Sequence, residues 1–140
     1  MIDLIQIQKM VYERLSQLPY SVVDDYVLYQ EVEPPFVQLS SLYIENDNTK
    51  NTDGLEVEQY INIYSTYKGK KEVLEISQEV SELMKEKMEY TTNYVDIENR
   101  MQEKIYSIYI EEDRKTIMMD MDGNGNKFYH AVLIFRLKIN

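Results

Sequence analysis

The opening residues carry apolar side chains at helical spacing. Leu4, Ile7, Val11, Leu15 and Leu18 recur three and four positions apart, Asp3 stands where an N-cap belongs, and Pro19 ends the run. Short extended pieces follow, Ser21–Val23 and Tyr26–Tyr29, closing on Pro34-Pro35. Two strands come next. Phe36–Glu45 alternates with Phe36, Leu42 and Ile44 on one face and Val37 and Leu39 on the other. Leu55–Tyr67 places Leu55, Val57, Ile61 and Ile63 opposite Glu56, Glu58, Tyr60, Asn62 and Tyr64. Between them, Asn46–Gly54 is polar throughout and rich in Asn and Asp, which predicts a long exposed loop joining an antiparallel pair.

Gly69 breaks the second strand, and a helix is predicted from about Lys70 to Glu89. Its apolar stripe is Val73, Ile76, Val80, Leu83 and Met84. Residues 91–103 fit no single pattern, being compatible with a short strand and a loop. Lys104–Glu112 and Thr116–Met121 read as two strands, and Lys127–Ile139 as the last. In that last strand Tyr129, Ala131, Leu133, Phe135 and Leu137 face away from His130, Val132, Ile134, Arg136 and Lys138. The expected fold is α+β in a single domain: an antiparallel or mixed β-sheet packed on one face by two helices, in the order α-β-β-α-β-β.

Charge narrows the partners. With 25 acidic and 15 basic residues the net charge is −10. Gripping a phosphate backbone depends on Lys and Arg releasing counterions, so the balance argues against holding nucleic acid, though not against DNA passing by. The absence of cysteine removes thiol chemistry, a disulfide framework and the usual zinc clusters. No secretory leader and no membrane-length apolar run is visible, so synthesis in the cytoplasm is expected. Thirteen tyrosines beside three phenylalanines and no tryptophan suit half-buried sheet surfaces and interfaces.

Candidate chemistry is sparse. The one histidine, His130, sits in a strand with no nucleophile motif around it. The four glycines form no phosphate-binding run. Asp120, Asp122 and Asn124, followed by Gly125, reproduce the first half of a calcium loop. The second half fails, because Ala131 stands where the bidentate Glu belongs; Asn124-Gly125 is also a strong hairpin-turn signal. No catalytic residue, metal site or cofactor is expected, and the chain reads as a binding or assembly module rather than an enzyme.

Several segments, taken in order, are similar to the phage tail completion proteins, also called tail terminator or tail-to-head joining proteins. They are Val27-Leu28-Tyr29, the run Pro34–Leu39, Asp53-Gly54, the run Ile61–Val73, Asp122-Gly123 and the run His130–Arg136. The similarity spans roughly residues 1–138 and rests on the order of these segments. It departs from the family at Tyr64, where Trp is common, and at Tyr29-Gln30, where Tyr-Asp is common.

The resemblance implies a subunit that joins copies of itself in a ring, a hexamer, at the head-proximal end of the tail tube. There it would stop tube polymerisation and present a docking surface to the head-tail connector protein. It implies a docking role for the loop Asn46, Asp47, Asn48, Thr49, Lys50, Asn51, Thr52, Asp53 and Gly54. DNA would pass through without specific binding, and Glu56, Glu58, Glu111 and Glu112 are the candidate carboxylates of an acidic lumen. The protein would reside in the virion tail after assembly in the host cytoplasm, with no membrane partner. Head–tail connector or adaptor, or a small calcium- or ligand-binding module, stand as alternatives.

Overall fold

A computed structural model describes residues 2–24, 32–47 and 54–140, all but the side chain of Asp47. Helix α1 covers Leu4–Leu15 and helix α2 covers Lys71–Met84; the strands are β1 (Ser21–Val23), β2 (Phe36–Asp47), β3 (Gly54–Ser65), β4 (Met88–Val95), β5 (Met101–Met121) and β6 (Lys127–Ile139). The six strands form one mixed sheet in the order β1-β2-β3-β6-β5-β4. Only β1–β2 is parallel; the other pairs are antiparallel.

The predicted order α-β-β-α-β-β and its two-helix layer are corrected. The chain runs α-β-β-β-α-β-β-β, and sheet dominates it as a curled half-barrel. Ser21–Val23 is a true edge strand, whereas Tyr26–Tyr29 lies outside the described residues. Residues 91–103 belong to a hairpin: α2 stops at Met84 and β4 begins at Met88, four residues later. The two expected strands Lys104–Glu112 and Thr116–Met121 are one strand of 21 residues, interrupted only by a bulge between Glu112 and Arg114. A cluster of five charged residues, Glu111–Lys115, mimics a loop in sequence, but all except the bulged Asp113 pair with β6 and their side chains reach water.

Asp3 caps α1, its Oδ1 accepting from the backbone N–H of Ile5 and Gln6 at 3.1 Å. At the other end, Arg14 donates to the carbonyls of Glu86 and Lys87, tying α1 to the turn that leads into β4. Gly69 adopts φ +102, a conformation that favours glycine, and turns the chain from β3 into α2. Ser65, buried at the end of β3, donates to Glu72 Oε1 at 2.7 Å and fixes that entry.

The core lies on one face of the sheet. Val73, Ile76, Val80 and Met84 of α2 pack there with Val57, Ile61 and Ile63 of β3 and Leu133, Phe135 and Leu137 of β6. Ile7, Val11 and Leu15 of α1 join the same cluster; α1 packs chiefly on α2 rather than on the sheet.

β2 changes face midway. Its register with β3 slips between Leu39 and Leu42, so Val37 and Leu39 face the core before the bulge, and Leu42 and Ile44 do so after it. The expected grouping of Phe36 with Leu42 and Ile44 therefore fails: Phe36 pairs with Tyr64 on the opposite face. Gln59 holds the slip in place. It is wholly buried, accepts from Gln8 Nε2 at 2.7 Å, and donates to the carbonyls of Tyr60 at 2.9 Å and Ser40 at 3.4 Å.

Candidate functional site

The sheet face turned away from the helices carries the charged and aromatic side chains. At one end Tyr64 stacks on Phe36, with ring centroids 4.9 Å apart, and on His130, with centroids 4.4 Å apart. His130 Nδ1 lies 3.5 Å from Asp120 Oδ2, and Nε2 is buried with no hydrogen-bond partner among the described residues. Burial pushes the imidazole below its ordinary pKa, with Asp120 offsetting part of the effect. Among the described residues His130 is stacked on Tyr64 and held by Asp120, an arrangement that orders this end of the surface.

At the other end Arg136 of β6 sits among carboxylates. Its Nε is 2.8 Å from Glu56 Oε1, an ion pair too poorly aligned to count as a hydrogen bond. Its NH2 group lies 3.6 Å from Asp113 and 4.0 Å from Glu58. Tyr43 and Glu45 close this hollow of about 170 Å³. Both reach that face because the β2 bulge reverses the alternation. With one guanidinium among four carboxylates, the hollow keeps an excess of negative charge and repels polyanions at short range.

The four lumen candidates do not all share this surface. Glu56 and Glu58 border Arg136, and Glu111 pairs with Arg136 across the β5–β6 ladder, so these three look the same way. Glu112 stands opposite Phe135 and turns to the helix side, where it accepts from Ser81 and meets Lys115 at 3.4 Å.

Of the loop assigned to docking, Asn46, Asp47 and Gly54 extend the β2–β3 ladder, with Asn46 opposite Leu55 and Asp47 opposite Gly54. Asn48, Thr49, Lys50, Asn51, Thr52 and Asp53 lie outside the described residues.

Of the candidate calcium ligands, Asp120 and Asp122 are otherwise engaged. Asp122 accepts from the backbone N–H of Asn124 at 2.8 Å and of Asn126 at 2.9 Å, which holds its carboxylate below the usual pKa range. Gly125 takes φ +80, and the turn joins β5 to β6. Asp120 points to His130. Among the described residues no three His, Asp or Glu side chains converge in a way that could hold a metal.

One feature was missed in the sequence. β4 and the first part of β5 form an arm whose tip is Asp96–Arg100; Ile97 at the tip is 105% exposed and Met101 70%. Val95, Tyr94 and Ile105 are exposed beside them. The available signal was Asp96-Ile97-Glu98-Asn99-Arg100: Asp96 Oδ1 accepts from the N–H of Glu98 and Arg100, both at 2.9 Å, and Asn99 takes φ 63. Asp and Asn tolerate such turns. A second surface feature is a groove beside α2 lined by Leu18, Leu83, Gln78, Glu75, Glu79 and Glu82. No helix among the described residues is long and apolar enough to cross a membrane.

No family model matches this chain, and no curated protein matches it in sequence. Among solved structures, the chain is similar to one from the "Virion of native gene transfer agent (GTA) particle". The identity is 13% and the TM-score 0.64, over 92% of this chain and 90% of that one. At that identity what is shared is the fold, nearly end to end, with a chain of a gene transfer agent virion.

Proposed function

We propose that this protein is a non-enzymatic structural component of a phage-like virion, a tail completion protein that forms a ring on the head-proximal end of the tail tube. The observation that carries the reading is the likeness of fold, over nearly the whole of both chains, to a chain of a gene transfer agent virion. The ordered resemblance of the sequence to tail completion proteins supplies the finer assignment. Six copies around the tube axis would end polymerisation and offer the connector a surface, with the polar loop Asn46–Gly54 as the docking element.

The charge suits a DNA conduit. Glu56, Glu58 and Glu111 around Arg136 make a surface that neutralises few phosphates, so DNA slides past instead of binding. The test is the mass of the purified protein across a concentration series, alone and with its tail tube protein, with electron microscopy of the tube ends. Rings capping tubes of fixed length support the reading. Protein that ignores tubes and binds the connector instead would be an adaptor, and a monomer indifferent to both would end the proposal.

A further inference from the structure

β5 is used unevenly. Its first part, Met101–Ile108, pairs with β4, and its second, Ile108–Met121, pairs with β6 on the opposite side. No described strand lies beside residues 109–121 on the flank that β4 leaves free. Nor does any described strand lie beside the outer edge of β4. Unpaired N–H and C=O groups along an edge are a template for another strand.

The two edges differ from the rest of this acidic surface. Residues Thr91–Val95 of β4 (Thr-Thr-Asn-Tyr-Val) contain no charge, and Thr116–Met119 of β5 (Thr-Ile-Met-Met) contain none. The intervening part of the β5 edge, Glu111–Lys115, is charged and bulged, the devices that discourage pairing. Large apolar groups stand exposed along both uncharged runs: Tyr94 and Val95 on the arm, Met119 on the edge. Chains of net charge −10 repel on approach, so contact between copies belongs where charge is lowest.

The same chain cannot fill its own edge. Arm and edge occupy opposite ends of one continuous strand of 21 residues, which at about 3.3 Å per residue is about 70 Å long. A second copy has no such constraint. We propose that the outer edge of β4 at Thr91–Val95 in one copy pairs with the open β5 edge at Thr116–Met119 of the next, adding the arm to its neighbour's sheet. The contact is head-to-tail: each copy gives an arm and receives one, which closes into a ring when the rotation per copy divides a full turn. This inference rests on the assembly reading above and names the surface through which copies join.

The absence of cysteine makes the test clean. Single-cysteine variants Thr92→Cys, Asn93→Cys and Tyr94→Cys are each mixed with Thr116→Cys, Ile117→Cys, Met118→Cys or Met119→Cys and oxidised. A disulfide needs Cα atoms roughly 4.4–6.8 Å apart, so the expected result is linked pairs in arm-plus-edge mixtures at alternating positions only. Each variant alone should link at least about tenfold less, because an arm cysteine then meets an edge that carries none. In parallel, Tyr94→Lys and Met119→Lys, both at half-exposed positions, should keep the melting temperature and raise the assembly midpoint concentration at least about tenfold. Rings on tubes without arm-to-edge links overturn this contact and leave the ring reading intact. Linked chains that never engage a tube support the contact and end the ring reading. Monomers under every condition overturn both.

Discussion

Gln59 offers a test of how the sheet controls its outer surface. Its amide is wholly buried and serves three partners: Gln8 of α1, and the carbonyls of Ser40 and Tyr60 beside the β2 bulge. In Gln59→Leu the two carbonyls lose their donor and the Gln8 amide its acceptor. A buried polar group left unmatched costs about 1–3 kcal/mol, and the apolar surface that Leu buries recovers part of that for the set. The expected net loss is about 1–3 kcal/mol, or about 4–12 °C in melting temperature for a chain of this size.

Gln59→Glu should be worse at neutral pH, because a carboxylate can accept from Gln8 but cannot donate to either carbonyl. Burial raises the pKa of the introduced acid in the folded state. The sign follows: the folded state holds its proton more tightly than the unfolded one, so stability is greatest in acid and falls as pH rises. Urea unfolding at pH 7 and pH 5 measures both variants. If Gln59→Leu lies within about 0.5 kcal/mol of the parent, or Gln59→Glu matches Gln59→Leu at pH 7, the amide does not hold the bulge and the argument fails.

His130 should make stability sensitive to mild acid. Its folded pKa lies below the ordinary 6.5, so stability is complete above pH 6.5 and falls as pH drops from there toward the folded value. His130→Phe, which preserves the stack on Tyr64, should flatten melting temperature against pH in that window, and an unchanged slope would clear the imidazole of responsibility. Arg136→Met leaves Glu56, Glu58 and Asp113 facing one another, and with the side chain a third exposed the loss should be about 1–2 kcal/mol, partly restored by salt. A chemical-denaturation midpoint that does not move, or that moves equally at high salt, counts against that account. Ile97→Ser at the arm tip should shift stability by less than about 0.5 kcal/mol, since the residue is fully exposed; a larger change in the monomer's calorimetric melting would mean the arm packs on its own chain.

Periodicity alone determined much of this molecule. Helical spacing with an acidic cap located α1, and strict alternation located β3 and β6 and sorted their apolar faces, though Gln59, Ser65 and Ile139 join the buried side without having been grouped there. These are local properties: side-chain direction repeats every two residues in a strand and every 3.6 in a helix, whatever the rest of the chain does. Asn124-Gly125 likewise marked its own turn.

Other features required partners distant in sequence. The bulge in β2 depends on Gln59 and, through it, on Gln8, 51 residues from Gln59, and it alone decides that Tyr43 and Glu45 join Arg136 on the outer face. The run Glu111–Lys115 reads as a break until β6 supplies a ladder that keeps its backbone extended. The arm buries apolar side chains only at its base, Met88, Tyr90, Tyr106 and Ile108, and beyond it the strands exist because they pair with each other. Side-chain pattern reports which face meets the core, but backbone pairing is non-local and says nothing until the partner strand is known. Tertiary structure therefore decided which strand edges stay open, and with them the surface through which copies of this chain can meet.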